Sequence, residues 1–199
     1  MFNVDKPADK SWYTYIKKST IDLEHVAAYI DPSQDEKSVA VQKFENNKVY
    51  HNFLVRLHSV CTKPEDFELI IIDNVNSLSQ IIKLMIFGTT QIMQYNYGAL
   101  RVHIERLFSI LDKSVIPVLM TTEMRDFNDV CEPKCDELYV HRSNFTHRMT
   151  ADVTPEKTDY NLMVDKAPYT ELRGMNISNT KINFSNLQAL VENFTPKGE

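Results

Sequence analysis

The chain has 199 residues and carries 22 Lys and Arg against 27 Asp and Glu, a formal net charge of −5 at pH 7. That length suffices for one domain with a buried core, and 43% hydrophobic with 25% charged residues excludes bulk disorder. The negative balance gives no electrostatic basis for sequence-independent binding to a phosphate backbone.

The amino-terminal MFNVDKPADKSW has no apolar run of the kind a secretory signal peptide needs. The most apolar window, residues 69–93, is interrupted by Asp73, Asn74, Asn76 and Lys83 and is too polar for a membrane span. Cysteines stand only at 61, 131 and 135, an odd number that fits a reducing compartment better than a disulfide framework. The N-x-S/T sequences at Asn144, Asn176, Asn183 and Asn193 then read as chance in an Asn- and Ser-rich carboxyl third, and the expectation is an intracellular protein.

In chain order, residues 11–19 (SWYTYIKKS) are predicted as a short helix with Trp12, Tyr15 and Ile16 on one face. Residues 25–30 (HVAAYI) are predicted as a buried strand ended by Asp31-Pro32, and residues 33–38 as a polar loop. Val49, Phe53, Leu54, Leu57 and Val60 predict a helix over 49–60, broken at Cys61 to Pro64. Leu69, Ile70, Ile71 and Ile72 then run without interruption into Asp73. Such a run predicts a strand buried on both faces, with the Asp73 carboxylate at the carboxyl edge of a parallel sheet.

Helical spacing continues through 78–94 (Leu78, Ile81, Ile82, Met85, Ile86) and is clearest over 100–111, where Leu100, Ile104, Leu107, Phe108 and Leu111 form one stripe. Residues 114–122 (SVIPVLMTT) are predicted as a third buried strand. Strands alternating with helices of this length imply parallel pairing with right-handed crossovers. From about 137 the runs shorten, and 138–142, 146–153 and 160–164 are predicted as antiparallel strands. Phe184, Leu187, Leu190, Val191 and Phe194 recur at helical spacing, fitting either a partner-docking helix or a cover over the domain's own sheet edge. The whole of 1–199 is expected as one domain, a parallel α/β core over 1–136 with a β-rich extension over 137–199.

The order of these elements resembles the ATPase core of the RecA-like recombinases, specifically a eukaryotic recombinase paralogue, over about residues 2–165. Tyr29-Ile30-Asp31 stands where that family has Y-I-D, and Leu69 to Asn74 (LIIIDN) where it has its magnesium-site strand. Val118 to Glu123 (VLMTTE) matches the strand ending in the family's T-N-Q switch, and Leu138 to Arg142 (LYVHR) its closing L-Y-L-R strand. The resemblance implies a RecA-like P-loop fold, a parallel sheet flanked by helices with antiparallel strands toward the carboxyl end.

It also implies a phosphate loop near residues 4–11, with Lys10-Ser11 at the end of the G-K-S/T pattern; but Val4 and Asp9 occupy the two glycine positions. Glycines there let backbone N–H groups wrap the phosphates, and Asp9 would set a negative charge against the β-phosphate. Pro32, Ser33 and Gln34 stand where the family's water-positioning glutamate should follow Y-I-D, and Glu123 replaces the switch glutamine. Residues 124–136, facing the family's long basic DNA loops, hold no glycine and more acid than base. The chain is expected to begin at the phosphate loop, without the family's first strand and amino-terminal domain.

Against that pattern, Lys10, Ser11 and Asp73 are the degenerate nucleotide contacts, and no catalytic residue is assigned. Each has a plainer reading: Ser11 as the N-cap of a solvated helix start, and Asp73 as a strand-terminal aspartate capping the next turn or helix. Leu69, Ile70, Ile71, Ile72 and Asp73 are read as core or as a strand supporting a partner interface. Cys131-x3-Cys135 with His141 and His147 has zinc-ligand residue types without the tight pairing of structural zinc, so no metal is expected. Arg142, Arg148 and Lys157 are scattered among acids rather than gathered in a groove. The resemblance implies a non-catalytic subunit that pairs with an ATP-binding paralogue carrying the ATP and magnesium, acts on recombinase filaments on single-stranded DNA, and works in the nucleus. The alternatives are a divergent ATPase using Lys10, Ser11 and Asp73, and an adaptor on the same fold outside DNA repair.

Overall fold

The computed structural model describes residues 2–3, 24–31, 33, 35–63, 67–127, 130–144, 146–154, 158–167 and 173–178. The expected helix at 11–19, the loop at 4–11 with Lys10 and Ser11, and the stripe from Phe184 to Phe194 lie outside the described residues. Two compact units are present, residues 1–139 and 140–199.

The first unit is built on a parallel sheet. Its strands are β1 (Phe2–Asn3), β2 (Glu24–His25), β3 (Ile70–Asp73) and β4 (Val118–Met120), in the order β2-β1-β3-β4. Phe2 pairs with Ile72 and Asn3 with Asp73, so a strand does precede residues 4–11, contrary to the expectation that the first strand is absent. The helices are α1 (Glu36–Thr62), α2 (Val75–Phe87) and α3 (Tyr97–Leu111). Most of their buried apolar residues join Ile70 and Ile72 in one core. The predicted stripe of α3 is confirmed residue by residue: Leu100, Ile104, Leu107, Phe108 and Leu111 are all buried.

β3 departs from the expectation of burial on both faces. Side chains alternate along a strand, and Ile70 and Ile72 are buried while Ile71 is half-buried. Leu119, paired with Ile71 in register, is 45% exposed, so this second face is only partly covered.

The helix predicted over 49–60 begins thirteen residues earlier, inside the expected polar loop. Asp35 caps it, its carboxylate accepting from the Ser38 amide at 2.6 Å. Its first turns bury Ser38, Gln42 and Asn46, a polar stripe invisible to hydrophobic periodicity. Those amides also explain why 25–30 is not a strand beyond His25. Asn46 Oδ1 accepts from the Tyr29 amide at 3.0 Å and its Nδ2 donates to the Tyr29 carbonyl at 2.8 Å. The Asp31 amide donates to Gln42 Oε1 at 2.8 Å. Side chains of α1 thus take the place of a ladder partner, and Tyr29 and Ile30 are 40% and 66% exposed instead of buried.

α2 stops at Phe87, seven residues short of the predicted end, because Gly88 adopts φ 72 and its amide returns to the Leu84 carbonyl at 2.9 Å. β4 is shorter than predicted. Residues 114–116 form a local turn in which Ser114 Oγ donates to the Ile116 carbonyl at 2.9 Å, so the strand itself begins only at Val118. The segment 124–136 contains an antiparallel hairpin, β5 (Met124–Phe127) with β6 (Val130–Pro133).

Residues 138–142 are not a strand: they lie in the short helix α4 (Glu137–Arg142). Asp136 starts it, its Oδ1 accepting from the Leu138 amide at 2.9 Å and its carbonyl from the Tyr139 amide at 3.0 Å. The second unit carries the predicted antiparallel strands, β7 (Thr146–Val153) and β8 (Thr158–Lys166), with β9 (Asn176–Ser178) added to β8. Lys166 Nζ donates to the carbonyls of Val140, His141 and Ser143 at 2.7 to 3.0 Å, which ties β8 to the end of α4. No helix among the described residues is long and apolar enough to cross a membrane.

Candidate functional site

Asp73 ends β3 at the carboxyl edge of the sheet, half-buried, as its strand predicted. Because Asn3 is its register partner in β1, the chain departs toward residues 4–11 from the same edge. β4 supplies the other side. The Thr121 amide donates to the Ile72 carbonyl at 3.0 Å, extending the ladder past Met120. The Thr121 hydroxyl then donates to Asp73 Oδ1. The Thr121 carbonyl accepts from the Val75 amide at 3.0 Å and so satisfies a donor in the first turn of α2. Thr121 therefore bridges β3, β4 and α2, and it holds the Asp73 carboxylate in place.

The plainer reading of Asp73, a helix cap, is not what occurs. The cap of α2 is Asn74, whose Oδ1 accepts from the Ser77 amide at 3.0 Å. The Asp73–Asn74 peptide is cis. Among the five residues of the Leu69–Asp73 run, Ile70 and Ile72 serve the core, and Leu69 and Ile71 are half-buried.

Next to Thr121, the Thr122 hydroxyl lies 2.5 Å from Asn76 Oδ1 and 3.3 Å from the Glu123 carbonyl. Asn76 is buried, and its Nδ2 has no hydrogen-bond partner among the described residues. Rotating this amide by half a turn lets Nδ2 donate to Thr122 Oγ1 and frees that hydroxyl to donate to Glu123. Thr122 also contacts Cys135, whose thiol pKa is pushed up by burial, with the hydrogen bond from Thr122 opposing. Beneath them, Ser79 Oγ and Tyr139 Oη stand 3.4 Å apart, and burial drives the Tyr139 phenol far above its ordinary range.

Glu123, at the switch position, is exposed and paired with Lys134 at 2.8 Å, and Arg125 pairs with Glu132 at 2.6 Å one step along the hairpin. Exposed pairs of this kind contribute little to stability, and with Asp126 and Asp129 also present the hairpin stays net negative. Asp136 is the buried acid of the region, with 4% of its side chain exposed and Arg101 Nε at 3.6 Å. Burial lowers the pKa of nearby Lys83, while the Asp136 charge pulls it back up.

Among the described residues no group of three or more His, Cys, Asp or Glu side chains could hold a metal ion. Cys61 and Cys135 are free thiols. The edge can position a carboxylate, two threonine hydroxyls and an amide. It brings together Asp73 and the Thr121-Thr122 pair, which the sequence marked separately; Asn76 carried no signal beyond its place one turn after Asp73.

No protein-family profile matches the chain, and no curated protein matches it in sequence. Among solved structures it is similar to a KaiC-like protein from the hyperthermophilic archaeon Pyrococcus horikoshii, with a TM-score of 0.47 and 13% identity, covering 89% of this chain and 70% of that one. At that identity and score the likeness carries no argument about chemistry or partners.

Proposed function

We propose that the chain is a RecA-like subunit without catalytic activity of its own, a recombinase paralogue that works as the obligate partner of an ATP-binding paralogue. In this reading the pair acts on recombinase filaments on single-stranded DNA during homologous recombination in the nucleus, and the ATP and magnesium belong to the partner. One observation carries the RecA-like part. At the carboxyl edge of a parallel sheet, Asp73 is tied to Thr121 of the neighbouring strand, and the strand leading to residues 4–11 pairs in register beside it. A carboxylate at the carboxyl edge of a parallel sheet, beside the strand matched to the switch, is what the resemblance implies for Asp73, and this supports the reading. The absence of catalysis rests on the residues themselves: Val4 and Asp9 replace the phosphate-loop glycines, and Pro32 to Gln34 lack the glutamate.

Titration of the purified chain with Mg-ATP, followed by a phosphate-release assay, tests this. The reading expects no saturable binding at millimolar nucleotide and no release above blank. Hydrolysis that co-purifies with the chain and vanishes in Asp73→Ala would establish the divergent-ATPase alternative.

A further inference from the structure

We draw no further inference here: the strongest candidate, the open outer edge of residues 26–30 beyond β2, where the backbone groups of Ala28 and Ile30 have no hydrogen-bond partner among the described residues and Ile30 is 66% exposed, carries nothing because nothing in the structure shows what covers it.

Discussion

Gly88 fixes both the end of α2 and its approach to α1, and replacing it by alanine separates two costs. Its φ of +72 lies in the left-handed region, where a side chain costs about 1–2 kcal/mol. A Cβ there would also meet Val39 Cγ1 of α1 at 2.6 Å and Lys43 Cε at 3.2 Å. Lys43 can swing aside, whereas Val39 sits on a helix that Gln42 Nε2 ties to the Gly88 carbonyl at 2.7 Å. Forcing an extra carbon into a packed contact typically costs about 1–3 kcal/mol, so Gly88→Ala is expected to lose about 2–5 kcal/mol in all. Urea denaturation followed by circular dichroism reads this as a midpoint lowered by roughly 1–2.5 M at a slope of about 2 kcal/mol per M. Val39→Ala removes the opposing methyls and leaves φ untouched. In that background Gly88→Ala should therefore cost only the backbone part, a coupling of about 1–3 kcal/mol. Equal losses in both backgrounds would refute the close approach, and a loss below about 0.5 kcal/mol would refute the left-handed cap as well.

Asn46→Ala removes three hydrogen bonds and strands the Tyr29 amide and carbonyl. It should cost about 2–4 kcal/mol in the same denaturation assay. By hydrogen exchange the Tyr29 and Asp31 amides, held by Asn46 and Gln42, should be protected relative to Ala28 and Ile30, and Asn46→Ala should erase the protection at Tyr29. Asp73→Ala and Thr121→Ala should each cost about 1–2 kcal/mol, with a combined loss smaller than their sum, because each removes the same bond. Burial, and then the Arg106 charge, hold the His103 pKa below its ordinary 6.5. As pH falls below about 6.5 the unfolded chain takes up this proton before the folded one, so stability present above that value is lost toward the lower folded pKa. Denaturation midpoints measured between pH 7.5 and 5 should show a shallower decline in His103→Gln.

Sequence pattern reached furthest where burial is apolar. The α3 stripe follows from periodicity because it buries all five residues that define it; the β3 run buries Ile70 and Ile72, and β8 buries Leu162 and Val164. The first turns of α1 were hidden because their buried face is Ser38, Gln42 and Asn46, chosen for hydrogen bonds to backbone. The strand expected at 25–30 failed for the complementary reason: its partners are those same amides, which no strand pattern announces. At 138–142 the consecutive apolar Leu138, Tyr139 and Val140 suit a strand or one helical turn equally, and the capping aspartate at 136 decides it. Asp73 was legible as a strand-end carboxylate, yet its neighbour Thr121 stands 48 residues away and becomes its partner only through the parallel pairing of β3 with β4.

The central claim, a subunit that depends on an ATP-binding partner, is tested most directly by recovering the tagged chain from its native cells and identifying stable companions by mass spectrometry. The account predicts a stoichiometric companion with an intact recombinase-type phosphate loop. Recovery of the chain alone, as a soluble monomer, would contradict it.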